Sequence, residues 1–324
     1  ARMKTPVYWK NRNIKALTLL PIGWVYAGLT ALRLLIKKPF ATDCPVICIG
    51  NLTAGGTGKT PTAVAIAKIV KELGYNPFFV SRGYGGNLSG VIVNREKHTP
   101  KQVGDEPLLL AREAEVSINP NRAFAAQKAI SEGATALIMD DGFQNPSLKK
   151  NISFLVFDGG FGIGNGWPLP AGPLRESFNA GLKRADAAII IGQDTTNLCG
   201  KLKNIPIFKA VMQPLPLQNT KQKAIAFAGI GRPEKFYNSL REMQIEIIKT
   251  IDFPDHHFYT ENELKQLIEE ARKFEAQLIT TAKDFVKIPA NLQKYFNVLE
   301  IEIKWGNREA LKTFIQNKFA SLKK

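Results

Sequence analysis

The run Gly50-Asn51-Leu52-Thr53-Ala54-Gly55-Gly56-Thr57-Gly58-Lys59-Thr60 carries the residue types and spacing of a phosphate-binding loop. Glycines let a backbone wrap closely around phosphate oxygens with its N–H groups turned inward. A lysine in this place reaches the β/γ-phosphates of a nucleotide, and the threonine after it binds Mg²⁺. The strict spacing has a glycine six residues before the lysine; Thr53 stands there, and Gly55 and Gly56 restore the lost freedom. The nucleotide contacts expected are therefore Thr53, Ala54, Gly55, Gly56, Thr57, Gly58, Lys59, Thr60 and Pro61. Downstream, Ala136-Leu137-Ile138-Met139-Asp140-Asp141 reads as a buried strand ending in two carboxylates. Such a pair holds Mg²⁺ beside a phosphate loop, so Thr60, Asp140 and Asp141 are the metal candidates. Adjacent strand residues alternate sides. One carboxylate is expected to face the metal and the other to orient a neighbour, and which does which stays open.

Other groups are less specific. Gly104-Asp105-Glu106-Pro107 opens a helix, where Asp105 by itself reads first as an N-cap and second as a general base. Asp255-His256-His257 holds two of the three histidines. Consecutive side chains diverge, which argues against a metal pair, whereas one histidine beside a carboxylate can accept or tune a proton. Ser81-Arg82-Gly83-Tyr84-Gly85-Gly86 either binds phosphate or turns the chain. The stretch from Asn165 through Trp167 to Arg175-Glu176 is too rich in Pro and Gly for a core element, and reads as an ordered substrate loop.

Elements that position these groups follow from hydrophobic periodicity. Strand patterns at 45–50, 77–81, 90–94, 135–140, 152–157 and 187–192 alternate with helical patterns at 60–73, 105–115, 121–132 and 174–184. That alternation predicts an α/β fold: a parallel sheet with helices on both faces, its functional groups at the C-terminal strand ends. Gly50, Ser81-Arg82-Gly83, Asp140-Asp141 and Asp158-Gly159-Gly160 fall at those ends. A Pro-, Gln- and Lys-rich stretch then precedes a second series with strands at 224–229, 245–251 and 277–281 and helices at 233–243 and 261–274. The expected division is an N-terminal helical segment (1–38), a phosphate-loop core (39–212), a linker (213–223) and a smaller α/β unit (224–324).

With 324 residues, 44% of them apolar, the chain has enough core for two domains. The 44 Lys and Arg against 28 Asp and Glu give a net charge of +16. That balance favours anionic partners, whether nucleic acid, an acidic membrane or phosphorylated substrates. The cations are dispersed and no zinc-finger spacing occurs, so nothing further favours nucleic acid. Cys44, Cys48 and Cys199 read as small buried hydrophobes of a reducing cytosol. Between Lys15 and Arg33 lie only uncharged residues, among them Leu17, Leu20, Trp24, Tyr26, Leu29 and Leu32. As a helix this stretch covers about 26 Å, short of a hydrocarbon core of about 30 Å. Basic residues flank both ends and Pro21, Gly23 and Gly28 interrupt it, which suits a helix lying on an anionic leaflet rather than a span or a buried helix. The absence of a small-residue cleavage site argues against a signal peptide.

Taken together these motifs resemble the tetraacyldisaccharide 4′-kinase family of lipid A biosynthesis, over nearly the whole chain. The resemblance rests on Gly50 to Pro61, Ser81 to Gly86, Gly104 to Pro107, Asp140-Asp141-Gly142-Phe143-Gln144, Leu169 to Glu176, Asp255-His256 and Thr281-Ala282-Lys283-Asp284, in that order. It implies transfer of the ATP γ-phosphate to the 4′-hydroxyl of a tetraacylated glucosamine disaccharide 1-phosphate at the cytoplasmic face of the inner membrane. It further implies a P-loop NTPase-like three-layer α/β/α domain and a smaller α/β/α domain joined by a strand-like hinge, with the cleft between them. Asp105 then becomes the catalytic base, with His256 as its partner and Lys59 at the phosphates. Arg82, Arg122, Arg175 and Glu176 become the candidates for substrate contact. Two rival readings are a partitioning or membrane-positioning ATPase and a nucleic-acid-dependent NTPase. The first normally has a lysine where Ala54 stands, and the second has only net charge behind it.

Overall fold

The computed structural model describes residues 6–217 and 222–322. Part of the expected linker, residues 218–221, lies outside the described residues, as do residues 1–5 of the N-terminal segment. The large sheet comprises β1 (Val46–Gly50), β2 (Pro77–Ser81), β3 (Val91–Ile92), β4 (Val116–Ile118), β5 (Ala136–Asp140), β6 (Ile152–Asp158), β7 (Ala187–Ile191), β8 (Ile207–Pro214) and β13 (Ile301–Trp305). Their spatial order is β13-β8-β7-β6-β1-β5-β2-β4-β3. All inner pairs are parallel, and only the edge pairs β13–β8 and β3–β4 are antiparallel. The smaller sheet is wholly parallel in the order β10-β9-β11-β12, from β9 (Lys223–Ala228), β10 (Glu246–Asp252), β11 (Gln277–Thr281) and β12 (Phe296–Leu299).

The strands are apolar on both faces because both faces are covered. On one side Ile47, Ile49, Phe154 and Ile189 pack with Ile66, Ile69 and Val70 of helix α2 (Lys59–Glu72). On the other, Val46, Cys48, Leu137 and Leu155 meet Ala125, Ala126 and Ala129 of helix α4 (Arg122–Ser131). In the smaller unit, Ile225 and Phe227 face helix α6 (Glu261–Lys273), and Ala224 and Ala226 face helix α5 (Pro233–Glu242). Each unit is thus a three-layer α/β/α sandwich.

The C-terminal boundary differs from the sequence expectation. Residues 301–320 do not stay in the smaller unit: β13 pairs with β8, and helix α7 (Arg308–Ala320) buries Leu311, Ile315 and Phe319 on the large sheet. Gln213 and Pro214, expected in the linker, belong to β8. The chain therefore crosses between units twice, and the crossings are bonded to each other, with Leu215 N donating to Glu300 O at 2.9 Å. The helix expected over 105–115 stops earlier, as α3 (Asp105–Leu110), because Val116–Ile118 is taken into the sheet as β4. That expected over 174–184 shrinks to Phe178–Leu182.

Helix α1 (Ile14–Ile36) takes in its charged flanks and is 23 residues long, about 35 Å at 1.5 Å per residue. It is the one described helix long and apolar enough to cross a membrane. Its length therefore does not decide between lying and spanning. A stripe of Ala16, Leu20 and Gly23 is buried, while Leu17, Trp24, Val25, Leu29 and Leu32 face outward.

Leu311 is fully buried between α7 and the large sheet. Leu311→Ala is expected to cost about 2–5 kcal/mol, read as a lower urea midpoint by far-UV circular dichroism. An unchanged midpoint would mean that α7 is an appendage and not part of the large core.

Candidate active site

β1 delivers Gly50 against Phe143, so closely that a Cβ at residue 50 would overlap the Phe143 Cβ. The loop that follows is shaped from within. Asn51 Nδ2 donates to Thr53 O at 2.6 Å and to Thr57 Oγ1 at 3.2 Å, and Gln144 Nε2 donates to Asn51 O at 2.9 Å. Gly55 and Gly58 have φ of 119° and 86°, where a side chain would be strained. Gly58 caps α2 without a side-chain bond, leaving the first-turn N–H groups of Lys59 and Thr60 for an anion. Pro61 occupies a first-turn position that needs no N–H. Thr53 and Ala54 are held from outside: Thr53 bridges Leu174, and Ala54 N donates to Pro173 O at 2.7 Å.

The two carboxylates at the end of β5 have different partners. Thr60 Oγ1 donates to Asp140 Oδ2 at 2.8 Å. Asp141 turns away with φ of 52°, accepts from Arg175 Nη1 at 2.9 and 3.2 Å, and lies 3.8 Å from Lys59 Nζ. Asp140 Oδ1 is buried without a hydrogen-bond partner. Burial pushes the Asp140 carboxyl up to about 7; the Glu106 carboxylate adds to this, and the Thr60 hydroxyl and Lys59 oppose it. Among the described residues no group of three or more His, Cys, Asp or Glu gathers for a metal. Mg²⁺ is commonly held by one or two carboxylates together with substrate phosphates. An orphaned carboxylate oxygen beside a threonine hydroxyl fits that mode.

On the same unit, α3 begins after Gly104, which holds φ of 90° and is itself the N-cap. Asp105 is therefore the first helical residue and not the cap, contrary to the first reading of this position. Its Oδ2 lies 2.9 Å from His256 Nδ1. His256 sits on the loop after β10 with φ of 59°, and its Nε2 lies 3.4 Å from Lys283 Nζ. Burial pushes the Asp105 carboxyl up, but the His256 hydrogen bond and the charge of Lys283 outweigh it and hold it below the usual carboxylate range. The Asp105 bond in turn raises His256, against burial and Lys283. His257 points elsewhere, stacked on Phe253 and 3.2 Å from Glu263, so the histidines diverge. Glu106 links the two halves of the site, raising Asp140 on one side and meeting Lys283 at 3.4 Å on the other.

The remaining candidates separate. Arg175 joins the site through Asp141. Arg122 is buried, donates to Asn119 O at 3.1 Å and has an unpartnered Nε. Burial and the charge of Arg82 lower it to about 10. Arg82 itself is exposed. Glu176 is buried and engaged internally by Arg184 and by Gln144 Nε2 at 3.0 Å, leaving its carboxylate no open face. Lys283, just after β11, packs against His256 within the smaller unit and reaches Glu106 of the large one at 3.4 Å, a role that only the packed structure reveals.

The raised Asp140 has a signed consequence. Between its ordinary 3.8 and about 7 the folded protein keeps a proton that the unfolded chain releases, so stability falls as pH rises through that window. Asp140→Asn carries no such cost. Without divalent cations its advantage over wild type is expected to grow from pH 4 to pH 7, to on the order of 4 kcal/mol, and stay level above. Urea unfolding at pH 5.5 and 8 measures it; a variant no more stable than wild type at pH 8 contradicts the burial of an ionisable carboxylate here.

Comparison with known proteins agrees with this geometry. Residues 15–320 match the family described as Tetraacyldisaccharide-1-P 4′-kinase. A protein of Rhodospirillum rubrum named tetraacyldisaccharide 4′-kinase is 41% identical, with 97% of each chain covered. One of the same name from Gluconobacter oxydans is 43% identical, with 94% of each covered. The crystal structure of LpxK from Aquifex aeolicus in complex with ATP is 26% identical with a TM-score of 0.78, covering 94% of this chain and all of that one. With that family matched over residues 15–320 and relatives above 40% identical along nearly the whole chain, this chain belongs to the tetraacyldisaccharide 4′-kinase family.

Proposed function

We propose that this kinase transfers the γ-phosphate of ATP to the 4′-hydroxyl of a tetraacylated glucosamine disaccharide 1-phosphate, with Asp105 as the base. The Asp105–His256 contact of 2.9 Å carries the reading. A sugar hydroxyl is a poor nucleophile, and a carboxylate kept ionised beside it accepts its proton as the oxygen attacks phosphorus. The new O–P bond forms as the β,γ-bridging bond of ATP breaks, and ADP leaves. His256, its Nδ1 on Asp105, orients the carboxylate. Lys59 neutralises charge developing on the transferred phosphoryl group. Thr60 and Asp140 would hold Mg²⁺, which supplies charge neutralisation at the phosphates, and Asp141 orients Arg175. The exposed Arg82, with the buried Arg122 close enough to feel its charge, is suited to a substrate phosphate.

The membrane reading rests on α1. Its buried stripe continues through the half-buried Ala27, Thr30 and Leu34, so the helix is covered along one side for most of its length. Such a helix suits the cytoplasmic surface of the inner membrane, its outward apolar face in the interface and its basic flanks at anionic headgroups. The double crossing between units is read as a hinge that opens and closes the cleft. The enzyme assay is direct: with ATP and the lipid acceptor, ADP and the 4′-phosphorylated product are expected in equal amounts. ATP turnover equally fast without acceptor would overturn the kinase assignment in favour of an ATPase.

Asp105→Ala is expected to lower kcat about 10²–10⁴-fold with little change in melting temperature, since Gly104 provides the cap. The Asp105→Ala/His256→Ala double variant should be little worse than Asp105→Ala alone. A large melting shift with intact kcat would return Asp105 to a structural role.

Trp24→Glu combined with Leu29→Glu is expected to abolish co-sedimentation with anionic vesicles while leaving ATP binding unchanged. Salt should release the wild type only in part, because the apolar contribution is not screened. Wild type that fails to co-sediment at low salt rules out the interfacial helix.

A further inference from the structure

β6 ends at Asp158, one strand from β1 and its phosphate loop. Asp158 Oδ1 accepts from Gly160 N at 3.0 Å, which fixes the carboxylate. Its other oxygen meets two cations from the smaller unit, Arg232 Nη1 at 3.3 Å and Lys235 Nζ at 2.6 Å. The Arg232 guanidinium also lies over the Phe161 ring, 5.2 Å from its centroid. Carboxylate and ring thus hold a planar fork in one orientation. The other nitrogen, Nη2, stands 3.7 Å from the point where a Cβ on Gly55 would be. An arginine from the second sheet therefore reaches over the opening of the glycine loop.

The loop needs a cation at that end. Lys59 serves its far end, and Ala54 gives the near end no charge. A triphosphate carries more negative charge than one lysine balances, and arginine pairs with phosphate oxygens through parallel N–H bonds.

We propose that Arg232 is a nucleotide-contacting residue supplied by the smaller unit, its Nη2 side bonding the phosphates of ATP while Asp158 and Phe161 hold it over Gly55. Nucleotide in the loop then binds both units at once, which couples occupancy of the loop to closure of the cleft. The inference rests on the loop being the ATP site, not on the identity of the acceptor. Its failure and that of the kinase assignment are therefore separable, because ATP binding is measured without acceptor.

The alternative is that Arg232 and Asp158 merely tie the units together. In that case Arg232→Met and Asp158→Asn, which break the same pair, weaken ATP binding alike. If Arg232 touches phosphate, the variants diverge. Arg232→Met lowers ATP affinity about 10- to 100-fold, the loss of a charge-assisted hydrogen bond. Asp158→Asn binds ATP at least as tightly as wild type, because the guanidinium keeps its ring contact and loses a neutralising carboxylate. Arg232→Lys, which keeps the charge without the fork, falls between. Isothermal titration of the full chain with ATP decides, with adenosine as a probe that lacks phosphate and whose binding Arg232→Met leaves unchanged. Equal weakening of ATP binding by Arg232→Met and Asp158→Asn overturns the proposal. So does unchanged ATP affinity in Arg232→Met.

Discussion

The hydrogen bond between Asp105 and His256 joins two separately built sheets, and the rest of the site is arranged around it. Asp105 begins a helix of the large unit, and His256 lies on a loop of the smaller one. Neither sheet can form this pair alone. The connection between units must therefore bring the loops together to within tenths of an ångström, which a single flexible linker does poorly. Two crossings bonded to each other, with β13 continuing the pairing on β8, tie the units together at two points of the chain. Arg112 pairing with Glu300 fastens the returning strand to the large unit at the same place.

Charge placement follows from the same closure. In a chain of net charge +16, Asp105, Glu106, Asp140 and Asp141 converge on one cleft. Two like charges about 4 Å apart repel by ~4 kcal/mol at an effective dielectric near 20, so each carboxylate needs a separate answer. Asp141 has Arg175 and Lys59, and Asp105 has His256 with Lys283 beyond it. Asp140 has the Thr60 hydroxyl as its bonded partner and the charge of Lys59 nearby, and burial outweighs both, driving it toward its protonated form. The carboxylate least answered by positive charge thus lies beside the first turn of α2, whose N–H groups suit an anion. Glu106 and Lys283 pair across the cleft.

Sequence reading recovers what local pattern determines. Strands β1, β5 and β6 and helices α2, α5 and α6 are strongly periodic, and their ends fall close to the expected positions. The glycine loop was legible because φ values of 86° and 119° demand glycine and the Lys-Thr pair follows directly. Long-range choices were not legible. Ile301, Ile303 and Trp305 alternate as any edge strand does, and nothing local says which sheet they join. Asp105 was ambiguous because a carboxylate at a helix start has the same sequence appearance as cap or first residue; the left-handed Gly104 decides it. Glu176 looked like a substrate contact beside Arg175, but adjacent residues point apart, and Arg184 draws it inward. The division of labour between Asp140 and Asp141 depends on a backbone φ of 52° that composition does not encode.

The loop from 165 to 176, a substrate loop by its sequence, has bonds that give it a more mechanical part. At one end Trp9 Nε1 donates to Pro170 O at 3.0 Å, Asn165 Nδ2 donates to Tyr8 O at 2.9 Å, and Arg12 lies over Trp167. Gly23 of α1 is packed so closely on Pro168 that a Cβ would stand 3.0 Å from its carbonyl oxygen. At the other end Pro173 O accepts from Ala54 N, and Arg175 N donates to Leu52 O, both at 2.7 Å. Helix α1 and the phosphate loop therefore grip opposite ends of one short segment. A helix seated in a lipid interface has its depth set by Trp24, its leucines and its flanking cations. With α1 in the interface as proposed, this segment would also fix the height of Lys59 and Asp140 above the bilayer. An acceptor whose acyl chains remain in the membrane presents its sugar hydroxyl at a nearly constant height. On that proposal, the bonded link from α1 through Pro168 and Pro173 to the phosphate loop would bring the two heights together.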